Sequence, residues 1–173
     1  MLARTMSDSV IRAAQEADYP AIVEIYNHYI VHSPATFDIE PYTLESRQPW
    51  FDAFATSDRY KLFVAAGQDD GAVQGYAGSL RFRPKAAYEP TVETTLYLAP
   101  EAAGQGVGRR LYAALFEALE GEDVHLVLAG ITLPNPASVA LHESCGFEPM
   151  GVFKDVGRKF DRYWDVAWYQ RLL

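Results

Sequence analysis

Three glycines alternate with other residues in the segment 104–108, directly before an apolar pattern of helical spacing. The β-branched and aromatic stretch 91–98 precedes it and predicts a strand. In a strand–turn–helix arrangement, the first amide N–H groups of the helix have no partner within the helix, and the helix dipole attracts an anion to them. Glycines let the backbone approach such an anion closely. The segment is therefore a candidate phosphate-binding turn.

Two arginines, Arg109 and Arg110, directly follow this turn. A cation in the first turn of a helix opposes the dipole by about 0.3–1 kcal/mol, so two of them favour a polyanion opposite. An ordinary tight turn with two solvated arginines explains the same residues equally well. The turn lacks the Lys-Ser or Lys-Thr pair of a nucleotide-binding P-loop, and its third glycine falls one position early for a dinucleotide-binding turn. Coenzyme A, with its pyrophosphate, remains as the common candidate ligand.

Glu93 and His142 are the two candidates for proton transfer. Glu93 lies within the apolar strand 91–98, where partial desolvation would raise the pKa of its carboxyl group toward a useful range. The competing interpretation places Glu93 on the solvated face of an edge strand. His142 lies in a helix that Asn135 and Pro136 begin, and a lone helical histidine is more often a packing or surface residue. Spacing alone leaves both interpretations open at each position.

The hydrophobic periodicity along the chain switches between that of a strand and that of a helix. The elements that it predicts must hold these candidate residues. Strands are predicted at residues 10–13, 61–68, 73–83, 91–98, 124–132, 152–153 and 163–169. Helices are predicted to start at caps on Asp18 and Thr43, after the glycine turn and at Asn135, with Pro49 as a point of interruption in the second. The order βααβββαβαββ predicts a mixed α/β or α+β fold, with helices on the faces of one sheet.

The length and the charge limit the class of protein. The chain has 173 residues, which predicts a single domain over residues 1–173, with residues 1–8 expected as a flexible N-terminal extension. Its 15 basic and 23 acidic residues give a formal net charge of −8, which disfavours nucleic acid and anionic membranes as partners. No apolar run approaches the ~20 residues of a membrane span, and the first nine residues lack the apolar core of a secretory signal. These features predict a cytoplasmic protein.

The cysteine and histidine content of the sequence gives little support to a metal site or a disulfide. The single cysteine, Cys145, excludes an internal disulfide and a cysteine-based zinc site. His28 and His32 are four residues apart, a spacing that can bind a metal, but no third ligand accompanies them. No metal is expected.

A set of motifs, in order along residues 10–170, resembles the GNAT acetyltransferase superfamily and, within it, the phosphinothricin and methionine sulfoximine N-acetyltransferases. The segment 105–109, after the strand 92–98, resembles the acetyl-CoA loop of that superfamily. Other matching segments are 27–30, 35–37, 91–93, 133–135, 141–143, 146–147, 156–160 and 164–166. One departure is Ala103, where the superfamily loop usually has Gln or Arg. We therefore expect the cofactor to be held more weakly or differently there.

The resemblance implies an acetyl-CoA-dependent N-acetyltransferase whose central sheet is mixed and mainly antiparallel, with helices on both faces. Glu93 matches the proposed catalytic carboxylate of the family, and His142 a histidine with a base or proton-relay role. The implied acetyl-CoA contacts are Leu96, Tyr97, Leu98, Gly104, Gln105, Gly106, Val107, Gly108, Arg109 and Asn135. A backbone N–H within 96–98 is the expected oxyanion donor. Residues 142–145 lack the tyrosine that the superfamily often uses as general acid, so the thiolate, with a thiol pKa of about 8.5, is expected to leave with little help.

The acceptor is expected to be a small-molecule amine, namely an amino acid or an analogue of it. Arg81 and Arg83 close the third strand, and an arginine fork suits a carboxylate or phosphinate. Arg83 falls where the related enzymes have a basic substrate-contacting residue. Phe37 and Tyr97 would supply apolar walls, and Thr95 is a further expected contact. Two exposed strand-end arginines remain the plainer interpretation.

Three functions stay open: an amino-acid N-acetyltransferase, an acetyltransferase of polyamines or protein N-termini, and a non-catalytic acyl-CoA-sensing module. Arg83 argues against polyamines, which require carboxylates. The presence of both Glu93 and His142 favours an enzyme over a sensor. A homodimer is expected from the resemblance, with the aromatic residues near the C-terminus as core or subunit contacts.

Overall fold

A seven-stranded mixed sheet organises the molecule, in a computed structural model that describes residues 9–173. The predicted flexible extension at residues 1–8 lies outside the described residues. The strands are β1 Ser9–Ala13, β2 Leu62–Gly67, β3 Val73–Arg81, β4 Thr91–Leu98, β5 Leu126–Leu133, β6 Glu148–Lys159 and β7 Arg162–Leu172. The α-helices are α1 Tyr19–His32, α2 Leu44–Ala53, α3 Val107–Leu119 and α4 Pro136–Ser144. This order confirms the predicted one.

The sheet runs in the order β1-β2-β3-β4-β5-β7-β6, and every neighbouring pair is antiparallel except β4–β5. The parallel pair is short, because Thr91 to Glu93 of β4 face Leu126 to Leu128 of β5 and no pairing follows. Beyond Leu128, β5 continues its pairing with β7 alone. The sheet is therefore split between β4 and β5 at its centre.

Helices cover both faces of the sheet, as predicted. Successive side chains of a strand point to opposite faces. On one face of β4, the Thr94 hydroxyl lies 3.5 Å from the Tyr112 hydroxyl of α3. On the other face, the Tyr97 ring packs against the rings of Tyr26 and Tyr29 of α1, both at 5.0 Å between centroids. The split edge of β4 thus lies between α3 on one side and α1 on the other.

Three local expectations are wrong. Pro49 does not interrupt α2, which runs through it, with Thr43 and Ser46 forming a reciprocal cap at its start. Asp18 does not cap α1; its carboxylate accepts two hydrogen bonds from Arg12, at 2.6 and 2.8 Å. The last two strands form one long hairpin, far longer than predicted. The sequence pattern did not indicate the length of this hairpin, because the edge strand β6 is exposed and carries glycine and charged residues at several positions.

None of the helices within residues 9–173 combines the length and the apolar character that crossing a bilayer requires.

Candidate active site

A cavity of about 980 Å³ opens at the split between β4 and β5. Its walls come from α1, α2, the loop between them, both strands, the glycine turn, α3, α4 and the β6–β7 hairpin. Predicted site residues that line it are Phe37, Glu93, Thr95, Leu96, Tyr97, Leu98, Gly104, Gly106, Gly108, Arg109, Asn135 and His142. Most of the site expected from the sequence is therefore brought to one cavity.

The split exposes backbone groups of β4. The Ala99 amide donates to the carbonyl of Gln74 on β3, and hydrogen-bonded pairs recur at every second residue of an antiparallel ladder. The Tyr97 amide therefore faces β3, whereas the amides of Leu96 and Leu98 face the split. The Leu98 carbonyl accepts from the Tyr29 hydroxyl at 2.8 Å. Within the stretch 96–98, where one backbone N–H was expected as the oxyanion donor, the amides of Leu96 and Leu98 are therefore the two candidates, and Tyr97 contributes its ring to the cavity instead.

The glycine turn is built for an open backbone. Gly104 and Gly106 have φ of +74° and +77°, a region that favours glycine, and no atom of the described residues lies within 4 Å of a Cβ built on either. The N-cap residue of α3 is Gly106, which has no side chain to cap the first amides of that helix. Gly108 has a different role, because a Cβ there would come within 2.9 Å of Leu141 on α4. The turn therefore leaves room for a ligand, and α3 can approach α4 closely.

Three residues near this turn point elsewhere. The Gln105 side chain donates to the Glu101 carbonyl at 2.6 Å, and Val107 is buried in the core. The expectation that Arg110 faces a polyanion is wrong. Its guanidinium donates to the Ser9 hydroxyl at 2.9 Å and to the Ser9 carbonyl, which ties α3 to β1. Arg109 alone lines the cavity as a cation of this turn.

Asn135 both caps a helix and lines the cavity. Its side-chain oxygen accepts from the Ser138 amide at 3.1 Å and so caps α4, while the residue also lines the cavity. The capping explanation considered from the sequence is correct, and it places the residue at the cavity wall.

Glu93 lies half-buried in the cavity wall, on the same face of β4 as Thr95 and Tyr97. No hydrogen bond or ion pair to its carboxylate occurs within residues 9–173. Burial raises the pKa of the Glu93 carboxyl above its ordinary value, and the nearby positive charge of Arg83 opposes this. An unpartnered carboxylate with a raised pKa suits a general base.

His142 is buried, and both of its ring nitrogens are engaged. Nδ1 lies 2.7 Å from the Ser138 carbonyl, which can only accept, so Nδ1 carries the proton. Nε2 then accepts from the Tyr112 hydroxyl at 2.8 Å. Burial lowers the pKa of His142 below its ordinary value, which favours the neutral ring. Sequence reasoning missed Tyr112, because its place in the apolar helical pattern of α3 marks it only as a core residue.

The two predicted acceptor arginines separate. Arg81 is exposed at a second cavity, and its guanidinium donates to the carbonyls of Arg83 at 3.0 Å and of Pro84. Arg83 is exposed and, like Arg81, is not among the residues that line the main cavity; its guanidinium lies 4.9 Å from the centre of the Phe82 ring. It is close enough to Glu93 to influence the pKa of that carboxyl group. We therefore retain Arg83 alone as a candidate acceptor contact.

Replacing Arg83 by glutamine should move the acidic limb of the kcat/KM profile to higher pH. A positive charge beside Glu93 stabilises the carboxylate and lowers its pKa, so removing that charge raises the pKa. The measurement is kcat/KM against pH, with Arg81→Gln as a control of equal charge change. A limb that stays in place in Arg83→Gln, or that moves equally in both variants, would contradict this assignment.

The Phe37 ring lies against the backbone of Gly157 on β6, where an added Cβ would overlap the ring. We expect Gly157→Ala to displace Phe37 within the cavity and to raise the acceptor KM, with a loss of about 1–3 kcal/mol in the free energy of unfolding from overpacking. Gly151→Ala is the matched control, because no atom lies within 4 Å of a Cβ at that position on the same strand. Equal acceptor KM values in the two variants would show that Phe37 does not contact the acceptor.

No cluster of three or more histidine, cysteine, aspartate or glutamate residues in the described part of the chain could hold a metal ion. The rings of His28 and His32 lie 4.9 Å apart on α1, without a third ligand.

Comparison with known proteins gives a consistent result. The model of the family described as "Acetyltransferase (GNAT) domain" matches residues 11–168. A phosphinothricin N-acetyltransferase of Streptomyces coelicolor is 48% identical over 94% of this chain and 95% of its own length. An L-methionine sulfoximine/L-methionine sulfone acetyltransferase of Pseudomonas paraeruginosa is 38% identical over 92% of each chain.

Solved structures agree. A phosphinothricin acetyltransferase from Sinorhizobium meliloti, in complex with acetyl-CoA, superimposes with a TM-score of 0.89 at 34% identity, covering 95% of this chain and 88% of that one. A ribosomal-protein-alanine N-acetyltransferase from Brucella melitensis gives a TM-score of 0.88 at 38% identity, covering 95% and 99%.

Proposed function

Because the chain belongs to the GNAT acetyltransferase family, we propose that it transfers the acetyl group of acetyl-CoA to the amine of a small amino acid or analogue, of the phosphinothricin, methionine sulfoximine or methionine sulfone type. The observation that carries this proposal is the position of Glu93, an unpartnered and half-buried carboxylate in the same cavity as the exposed backbone amides of the split sheet.

The residues present fit acetyl-CoA. Gly104 and Gly106 leave open space beside the uncapped amides of α3, and Arg109 adds a positive charge for the pyrophosphate. The amides of Leu96 and Leu98 face the split, where they can meet the thioester carbonyl and the pantetheine arm. When bound, acetyl-CoA supplies an activated acetyl group on a thiol leaving group.

Glu93 takes the proton of the acceptor amine in this proposal. An ammonium has no lone pair, so the amine must lose a proton before or during attack. His142 is less suited to this step, because its Nδ1 donates to Ser138 and its Nε2 accepts from Tyr112. We assign His142 the role of holding the hydroxyl of Tyr112, a residue that also lines the cavity. A raised Tyr112 pKa, caused by burial, keeps that hydroxyl protonated, so it remains the donor to Nε2 of His142.

The acceptor carboxylate meets Arg83 in this proposal, while Phe37 and Thr95 form the walls beside the amine. Among the described residues that line the cavity, Glu93 is the single carboxylate, whereas Arg47 and Arg109 are cations. This charge balance suits an anionic amino acid better than a polyamine.

We also propose that the enzyme is a cytoplasmic homodimer. Large apolar side chains are exposed along the β6–β7 hairpin, among them Met150 (56%), Phe153 (58%) and Tyr163 (59%). Apolar area of this kind on neighbouring strands is typical of a subunit contact. The cytoplasm is proposed because the reaction consumes acetyl-CoA.

Acetylation of protein N-termini is the second candidate. It is favoured by the similarity to the ribosomal-protein-alanine N-acetyltransferase. A thiol-release assay with acetyl-CoA separates the candidates when run across amino acids, phosphinothricin, methionine sulfoximine and sulfone, polyamines and an alanine-initiated peptide.

We expect kcat/KM to be highest for the amino-acid analogues. Activity restricted to the peptide or to polyamines would overturn the proposed acceptor class. No thiol release with any acceptor, from a protein that binds acetyl-CoA, would identify a sensing module instead.

A further inference from the structure

Arg47, on α2, is a half-buried cation in the wall of the same cavity as Glu93. Within residues 9–173 its guanidinium forms no ion pair with a carboxylate and no hydrogen bond. Nothing in the sequence distinguishes it, because it belongs to a polar helix in which other residues are also charged.

Three aromatic rings hold the Arg47 guanidinium in place. Its central carbon lies 4.4 Å from the ring centre of Tyr26, 4.6 Å from that of Tyr42 and 4.5 Å from that of Trp50. Such contacts stabilise a cation through the faces of the rings. They restrict where the guanidinium can lie without using its N–H donors.

The rings themselves are fixed by further contacts. Asn27 donates to the Tyr42 carbonyl and accepts from the Tyr42 amide, both at 2.8 Å. The Tyr26 hydroxyl donates to the Asp38 carboxylate at 2.6 Å. The Asp38 carboxylate thus accepts a hydrogen bond from Tyr26 and forms no ion pair with Arg47. The guanidinium is preorganised, and its planar fork of donors remains available for an anion from outside the chain.

The position of Arg47 relative to Glu93 indicates which part of an acceptor it can meet. Tyr97 and Glu93 share a face of β4 but are four residues apart, a separation of about 13 Å along an extended strand. The Tyr26 ring, which stacks on Arg47, packs against Tyr97 at 5.0 Å. Arg47 thus lies toward the Tyr97 end of the cavity. An α-carboxylate stays two bonds from its own amine, whereas the end of a longer side chain can extend in this direction.

We propose that Arg47 is a specificity-determining residue, which binds the anionic or strongly polarised oxygens at the end of the acceptor side chain with its planar fork. A phosphinate suits it best, because two oxygens on one centre match two parallel N–H donors. This assignment rests on the proposed function and names the substrate feature that the site selects. It leaves Arg83 to the α-carboxylate and Glu93 to the amine.

The test is a comparison of kcat/KM for phosphinothricin and for norleucine, an amino acid with an unbranched apolar side chain. We expect the wild-type protein to prefer phosphinothricin. In Arg47→Gln the ratio of the two values should fall by about 10²-fold, as for the loss of one partner of a desolvated charge pair. Arg47→Lys keeps the charge but not the fork, so its ratio should be intermediate.

Arg59→Gln is the matched control, because it removes one positive charge whose guanidinium pairs with Asp123, outside the cavity. Its ratio should equal that of the wild type. A ratio that is unchanged in Arg47→Gln, or equal losses for both acceptors, would overturn the proposal and show that Arg47 only stacks on its rings or binds the α-carboxylate.

Thermal unfolding of each variant shows whether that variant is folded. If Arg47→Gln does not fold, the ratio in Arg47→Lys decides the matter, since a wild-type ratio there contradicts a role for the fork. Failure of the proposed function itself would look different, because the wild-type protein would then release no thiol with either amino acid.

Discussion

Replacing Glu93 by glutamine is expected to lower kcat for amine acetylation by about 10²- to 10⁴-fold, the usual contribution of a general base. Glutamine has the shape of glutamate but no charge, so the fold and the acetyl-CoA site should be retained. The carboxylate is half-buried, has no partner in residues 9–173 and has a raised pKa, which together leave it free to take a proton. Steady-state kinetics with phosphinothricin, or with the best amino acid found, measures the effect.

A second signature accompanies this loss. The acidic limb of the wild-type kcat/KM profile reports deprotonation of Glu93, so it should be absent in Glu93→Gln. Glu89→Gln is the matched control, since its side chain is 51% exposed and lies outside the cavity. Wild-type turnover in Glu93→Gln at neutral pH would remove Glu93 from the mechanism.

Replacing His142 by alanine is expected to reduce both stability and turnover. The change leaves the buried Tyr112 hydroxyl without its 2.8 Å partner and opens a cavity, which together cost about 2–5 kcal/mol in the free energy of unfolding. Turnover should fall by about 10²-fold or more, because the hydroxyl loses its fixed position. Chemical denaturation and steady-state kinetics measure the two effects.

Tyr112→Phe separates the two consequences, because it removes the hydroxyl and keeps the ring packed. If His142 acts through Tyr112, the rate losses of the single variants and of the double variant will be far from additive. Additive losses would mean that His142 acts on the substrate by itself.

The His142 variant also tests the protonation state. Because burial lowers the folded-state pKa of this histidine, its neutral form contributes stability above the unfolded value of about 6.5, and that contribution is lost as the pH falls below it. Wild-type stability should therefore decrease on acidification in this range, and His142→Ala should show less of this decrease.

Periodicity and turn chemistry were enough to predict the element order and the glycine turn. The β-branched and aromatic residues predicted β4, and the asparagine–proline pair predicted α4, because local sequence controls both features. The long β6–β7 hairpin was missed, since an exposed edge strand does not need a buried apolar face. Helix α2 was predicted to break at Pro49, yet it continues through that residue.

Site residues were predicted where backbone geometry or family resemblance determines their role. They were missed where tertiary contacts determine it. Gly104 and Gly106 form the turn as expected, with positive φ. Arg110 instead donates a hydrogen bond to Ser9, a residue 101 positions away in the chain. Tyr112 and Arg47 gain their meaning only from partners on other elements. No local pattern could have revealed them.

Calorimetric titration of the folded protein with acetyl-CoA tests the central claim most directly, because every assigned role depends on a thioester cofactor held by the turn at Gly104 and the open edge of β4. The account predicts saturable binding of one molecule per chain, with a dissociation constant below the millimolar range. A titration without heat of binding at millimolar acetyl-CoA or CoA, on protein shown to be folded, would contradict it.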